Sequence, residues 1–157
     1  MIRKAQAKDA PRVHALLEEI VKLHHEGRPD IFAGTSPKYD VPALVEKFQK
    51  DGEYIFVSVD ENDCVNGYVM CILEEKDDLF FTQRPYRTLY VDDLCVDKSA
   101  QKGGIGRALM ERAVEQAREL HCYNLDLNVW ACNTDAIRFY EKIGMQKQRQ
   151  YMEFVLG

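Results

Sequence analysis

The chain has 157 residues, 46% of them hydrophobic and 30% charged, with a formal net charge of −5. That length suits one domain, residues 1–157, with a sizeable core, and the composition is that of a globular protein. An acidic total with no basic run argues against a nucleic-acid partner, and no apolar stretch approaches the ~20 residues of a membrane span.

Met1 to Asp9 lacks the apolar centre of a signal peptide. Five cysteines, Cys64, Cys71, Cys95, Cys122 and Cys132, are odd in number and contain no C-x-x-C pair, so a reduced, cytoplasmic setting is expected. Ile2 to Ala5 reads as a short edge strand. Asp9 then supplies an N-cap and Pro11 a first-turn residue, followed by Val13, Leu16, Leu17, Ile20 and Val21 at helical spacing. His24, His25 and Glu26 invite a metal reading, but adjacent helical residues point about 100° apart and no H-x-x-x-H exists, so no metal is expected. Pro42 to Gln49 reads as a second helix. Tyr54–Val59 and Cys64–Leu73 form a hairpin around Asp60-Glu61-Asn62-Asp63. Glu74 to Arg87, with Phe80-Phe81 and Tyr86, reads as a polar connection or an extension of that hairpin.

The most informative stretch runs from Leu89 to Leu120. Leu89 to Val96 is a strand by composition. From Ile105 the spacing of Ile105, Leu109, Ala113 and Ala117 describes an amphipathic helix. Between them, Gln101-Lys102-Gly103-Gly104-Ile105-Gly106 is a glycine-rich turn entering a helix, where bare N–H groups and the helix dipole suit a phosphate or pyrophosphate. A phosphate-loop NTPase would need Lys-Ser/Thr after the glycine, whereas Arg107 and Ala108 follow Gly106. A dinucleotide fold would need glycine where Leu109 stands. Asn124 to Trp130 alternates as another strand, reached by a right-handed crossover. Asn133 or Thr134 caps a helix through Ile143, Gly144 ends it, and Gln146 to Leu156 is expected as a last strand.

Gln101, Gly104 and Gly106 satisfy Gln/Arg-x-x-Gly-x-Gly/Ala, and this stretch resembles the acyl-CoA-binding motif of the GNAT superfamily of N-acetyltransferases. Asn133-Thr134-Asp135-Ala136-Ile137-Arg138-Phe139-Tyr140-Glu141-Lys142-Ile143-Gly144-Met145 resembles that family's second motif, with Met145 where Phe is commoner. The resemblance implies a single-domain α/β (α+β) fold with a mixed sheet, in the order strand, two helices, hairpin, strand, helix, strand, helix, strand. It also implies a splay between the central strand and the strand after the loop–helix. On this sequence it places Leu94, Cys95 and Val96 beside the pantetheine of acetyl-CoA. Gln101, Lys102, Gly103, Gly104, Ile105, Gly106 and Arg107 would hold the pyrophosphate, Asn133 the pantetheine arm, and Tyr140 the thioester sulfur.

Acetyl transfer to an amine then needs a deprotonated nitrogen, a stabilised carbonyl oxygen and a proton for the leaving thiolate. A backbone N–H at Cys95 or Val96 suits the oxygen, and Tyr140 is the candidate acid. Asp92 and Asp93 adjoin in a strand, so only one faces the cleft unless a bulge rearranges the pair. By the resemblance Asp92 is favoured as base, with Glu74 second and ordered water a sufficient alternative. The acceptor would be built by residues 25–36 and 73–87, with Glu26, Asp30, Phe32, Glu74, Tyr86 and Asp93 as candidates. A small cationic amine is favoured over a protein N-terminus or lysine. A non-catalytic acyl-CoA sensor and a nucleotide-binding protein are the rivals, and the family resemblance leaves a homodimer open.

Overall fold

The computed structural model describes residues 1–77 and 84–157; the Phe80-Phe81 pair lies outside them. Strand β1 (Ile2–Lys4) leads through a 3₁₀ turn into helix α1 (Ala10–Gly27). Asp9 stands at the N-cap position of α1, yet its carboxylate does not cap the helix. It accepts from Arg3 at 2.7 and 2.9 Å and from the Gln6 N–H at 2.8 Å, tying β1 to α1. Helix α2 (Val41–Gln49) starts one residue before the expected Pro42 and is capped by Asp40, which accepts from the Ala43 N–H at 2.9 Å.

Strands β2 (Glu53–Val59), β3 (Val65–Lys76) and β4 (Tyr86–Val96) form an antiparallel meander. The polar segment after Leu73 proves in part to be an extension of the hairpin, since β3 and β4 stay paired out to Lys76 and Tyr86. Helix α3 (Ile105–Glu119) crosses over to β5 (Asn124–Leu127), which pairs parallel to β4 at the end of a five-stranded sheet ordered β1-β2-β3-β4-β5. Helix α4 (Thr134–Lys142) follows. One core layer, from Val13, Leu16, Leu44, Val57, Tyr68 and Met70, lies between the sheet and α1/α2. A second, from Phe56, Val69, Leu89, Val91, Leu109 and Ala113, lies between the sheet and α3/α4.

Two irregularities in β4 create the site. Met70 pairs with Asp93 while the next residue, Cys71, pairs with Val91, so Asp92 is the extra residue of a β-bulge. Pairing of β4 with β5 stops at Val91–Leu127, although β4 continues to Val96 against β3. The expected splay is therefore present. Strand β5 ends three residues sooner than its alternating pattern suggests. The expected last strand over Gln146–Leu156 does not form, because no strand among the described residues pairs with it.

Gly67, opposite Val96, allows α3 to close on the splayed end of the sheet. A Cβ there would lie 3.1 Å from the Cys95 carbonyl oxygen and 3.1 Å from Ile105 Cγ2. Gly67→Ala is expected to cost about 1–3 kcal/mol, read as a lower urea midpoint with an unchanged m-value. An unaltered midpoint would mean that the helix start adjusts freely.

Candidate active site

The glycine turn folds as its residue types require. Lys102 and Gly104 take positive φ values of 72° and 78°, and Gly104 becomes the N-cap of α3. The first closing bond of the helix runs from the Ala108 N–H to the Gly104 carbonyl at 3.0 Å. Among the described residues the backbone N–H groups of 102 to 107 make no hydrogen bond within the chain. They stand at the positive end of a 15-residue helix, a ready seat for a diphosphate. Gly106 is held by packing, since a Cβ would meet the Phe139 ring at 3.3 Å and Val96 Cγ2 at 3.6 Å. The Gln101 side chain turns back to donate to the Val96 carbonyl at 3.2 Å. Lys102 is exposed, whereas Arg107 pairs with Glu111 at 2.9 Å.

The bulge decides the carboxylates. Leu89 and Val91 face the α3 layer before it, and Leu94 and Val96 face that layer after it. Asp93 and Cys95 therefore face α1, and Asp92 is turned to the same side, where Tyr39 donates to it at 2.9 Å and Lys38 at 2.5 Å. The Lys47 ammonium lies 4.0 Å away. Of the two alternatives open from sequence, the bulge that rearranges the pair is the one present, because the extra residue breaks the alternation. Asp92 is an anchor: its oxygens hold the segment between α1 and α2 onto β4.

Among the described residues Asp93 has one hydrogen-bonding side chain, the buried Tyr68, whose hydroxyl donates to it at 3.2 Å. Burial pushes the Asp93 carboxyl up to about 6, with the Tyr68 hydrogen bond acting the other way and the Asp92 charge adding to the rise. Tyr140, on α4, has its phenol raised above the ordinary value by burial and then by the charge of Asp93. Its ring lies edge-on to Phe139 at 5.2 Å. Carboxylate and phenol are thus in electrostatic reach of each other. The Cys95 thiol is pushed up to about 12 by burial, first, and by Asp93, and it contacts the Leu16 carbonyl at 3.7 Å. Its backbone, with that of Leu94 and Val96, lies beyond the last rung to β5.

Asn133 caps α4 through its side-chain oxygen, which accepts from the Ala136 N–H at 3.2 Å and leaves the amide NH₂ free of that bond. It also lines a cavity of about 280 Å³ with His24, Glu26, Gly27, Cys132 and Asp135. Phe32 joins this region by stacking on His24 at 5.0 Å and meeting Trp130 edge-on at 5.1 Å. Asp30 is beside it but is taken up by Arg28 at 2.7 and 2.9 Å.

Glu74 and Tyr86 are not brought to the splay. Glu74 sits opposite Thr88 and is ion-paired to Lys76, while Tyr86 packs on Tyr123 at 5.7 Å. They lie roughly 13 and 20 Å along the strand from Asp92 at 3.3 Å per residue. Sequence reasoning missed Tyr68, which reads there as an ordinary core aromatic, and the Lys38–Tyr39 clamp. Only the register of β3 on β4 exposes the first, and nothing local signals the second. Among the described residues no group of three or more His, Cys, Asp or Glu side chains could hold a metal, and no helix is long and apolar enough to cross a membrane.

The family model described as "Acetyltransferase (GNAT) family" matches residues 17–145. The chain is similar over 99% of both lengths, at 30% identity and a TM-score of 0.94, to the crystal structure of a mutant BH1408 protein from Bacillus halodurans. It is 33% identical over 72 residues to glucosamine 6-phosphate N-acetyltransferase 1 of rice, matching 46% of this chain and 42% of that one. It is 27% identical over 107 residues to streptothricin acetyltransferase A of Bacillus subtilis, matching 62% of this chain and 50% of that one. The chain thus spans half or less of the length of these two relatives.

The position of Asp93 carries a cost to folding. Its carboxyl binds a proton more tightly in the folded chain, at about 6, than its ordinary 3.8. Stability therefore falls as pH rises from the lower to the higher of those values. Asp93→Asn keeps an acceptor for Tyr68 and is expected to raise stability above pH 6 by an amount on the order of 1–3 kcal/mol, a gain that vanishes below the ordinary value. Melting curves across that range test this; a variant no more stable than the parent above pH 6 would contradict it.

Proposed function

The chain belongs to the acetyltransferase (GNAT) family, and from that premise we propose that it moves the acetyl group of acetyl-CoA to the primary amine of a small cationic acceptor. The observation that carries this reading is the bulge at Asp92. It turns two carboxylates to one face where β4 and β5 part, and the second of them, Asp93, is in electrostatic reach of the Tyr140 phenol.

The residues present fit an acyl-CoA. Unpaired amides at 102 to 107 suit its diphosphate, and the open edge of β4 beyond Val91 offers backbone partners to an extended amide-bearing arm. When bound, acetyl-CoA supplies an activated thioester carbonyl. Asn133 offers its NH₂ to the arm while its oxygen is kept by the helix. Stabilisation of negative charge on the carbonyl oxygen is assigned to the Val96 N–H, since the Asp97 N–H next to it bonds the Asn66 carbonyl of β3 and alternation turns Val96 to the open edge.

Proton handling falls to Asp93 and Tyr140. An alkyl ammonium has a pKa near 10.4 and must lose a proton before it can attack. Asp93, with its pKa lifted to about 6, is ionised at neutral pH and a stronger base than an ordinary carboxylate. Asp92, favoured as base from sequence, is better suited to its ion pairs, because Lys38 and Tyr39 already occupy both of its oxygens. The raised phenol of Tyr140 stays protonated and holds that proton for the departing sulfur. Glu26 and Asp135 line a cavity of about 280 Å³, a size and charge suited to a small amine. The two relatives above are named for glucosamine 6-phosphate and streptothricin, and their similarity supports the same class of acceptor.

The test is release of free CoA thiol from acetyl-CoA with a panel of aminosugars, polyamines, amino acids and peptide N-termini, with mass detection of the product. Turnover with a small amine supports the proposal. Turnover with peptides alone would shift the acceptor class, and no release with any amine would favour a sensor. Tyr140→Phe is expected to lower turnover roughly ten-fold or more with little change in acetyl-CoA affinity. Asp93→Asn is expected to remove the acid limb of kcat/KM near pH 6, where burial places the Asp93 carboxyl. An acid limb that persists in that variant assigns the base elsewhere.

A further inference from the structure

Asp92 is screened from solvent by one half-exposed side chain. Its own side chain is 6% exposed, and among the described residues three groups gather on it: the Tyr39 hydroxyl and the ammonium groups of Lys38 and Lys47. Lys47 is itself buried and is paired with Glu53. Lys38 differs. Its side chain is 56% exposed, while its Nζ lies 2.5 Å from Asp92 Oδ1. The way from water to Asp92 therefore runs along Lys38.

Lys38 is a primary alkyl ammonium on a flexible stem, held by a carboxylate next to Asp93. The backbone that carries it is fixed by other bonds. Tyr39 holds the second Asp92 oxygen at 2.9 Å, its carbonyl meets His14 Nδ1 at 3.0 Å, and Asp40 caps α2. Only the Lys38 side chain has to move for Asp92 to change partners, and a half-exposed ion pair of this kind is weakly held. Asp92 keeps the Tyr39 hydroxyl and the Lys47 charge, 4.0 Å away, during the exchange. The Tyr39 ring adds a face for a cation, with the Lys38 and Lys47 ammonium groups 5.2 and 4.8 Å from its centre.

Such an exchange leaves Asp93 as it was. The Asp93 carboxyl, raised chiefly by burial, feels the Lys38 charge as a smaller, opposing influence. An ammonium of the acceptor in the place of Lys38 acts on Asp93 in the same sense.

We propose that Asp92 is the seat for a second ammonium group of the acceptor, and that Lys38 fills this seat until the acceptor arrives. The substrate class is then a short diamine. One nitrogen replaces Lys38 on Asp92, and the other faces Asp93 and attacks the thioester. Adjacent Cα atoms lie about 3.8 Å apart and the bulge turns both carboxylates to one side, so the two nitrogens belong within a few bonds of each other. The attacking nitrogen bonds the acetyl carbon as the carbon–sulfur bond breaks. Its proton passes to Asp93, and the thiolate takes one from Tyr140. The seated ammonium keeps its protons and forms no covalent bond. This seat rests on the acetyl-transfer reading above, and it adds a demand for two positive charges in the acceptor.

The test compares thiol release from acetyl-CoA with 1,3-diaminopropane and with propylamine at neutral pH. The diamine is expected to show a kcat/KM roughly ten-fold or more above the monoamine, as a charge-assisted contact with Asp92 implies. Lys38→Met empties the seat, so the diamine KM should fall roughly three-fold with kcat little changed. Asp92→Asn should bring the two amines level. Equal kcat/KM for both amines in the wild type would overturn the proposal while leaving acetyl transfer standing. So would a diamine KM that stays or rises in Lys38→Met. No release with any amine would remove both this seat and the transfer itself. Should Asp92→Asn fail to fold, the wild-type preference and Lys38→Met decide, because Lys38→Met leaves Asp92 with Tyr39 and Lys47.

Discussion

Parallel pairing between β4 and β5 lasts only from Thr88–Asn124 to Val91–Leu127, and everything of functional interest depends on its stopping there. A strand flanked on both sides, as β4 is by β3 and β5, ordinarily has no backbone group free. Here β4 continues for five residues against β3 alone, so its other edge opens as a slot. The same parting aims α3 and the glycine turn at the mouth of the slot, because Gly67 and Gly106 let the helix start sit tight against β3, Val96 and Phe139. The opening in the sheet and the exposed amides of the glycine turn are consequences of one geometry.

The bulge at Asp92 lies at the first residue beyond that last rung. It has two effects that a regular strand could not combine. It breaks the side-chain alternation, so adjacent carboxylates share a face. It also divides their work, because the neighbouring charges are unevenly distributed. Lys38, Tyr39 and Lys47 gather around Asp92, whereas Asp93 faces Tyr68 and the Tyr140 side of the gap. The buried Lys47–Glu53 pair, with both side chains under a tenth exposed, fixes α2 on β2 and so steadies the clamp on Asp92. Burial first, and then the charge of the anchored Asp92, keeps the Asp93 carboxyl in its raised range.

The far edge of the sheet follows the opposite logic. At the splay, unpaired backbone of β4 lines the opening in the sheet. At β5 the outer edge is unpaired among the described residues, and the apolar tail is exposed. Both are places where the ladder is incomplete.

Much of this was legible from sequence because it is local. Apolar spacing from Ile105 to Ala117, the Asp40 and Asn133 caps, the turn at Asp60 and the glycines around Gly104 each act through a few neighbouring residues, so residue type alone determined them. Element order and the two family-like motifs carried the fold as far as the splay. The choice between Asp92 and Asp93, the burial of Tyr68 against Asp93, the removal of Glu74 and Tyr86 from the site, and the fate of the tail were decided elsewhere. Each turns on register: one extra residue in β4 reverses which side chains face α1, and strand length alone sets how far Tyr86 lies from the gap. Composition determined that 146–156 can be a strand. Only the tertiary structure decided that its own sheet has no place for it, because a strand is completed by a partner edge and not by its own residues.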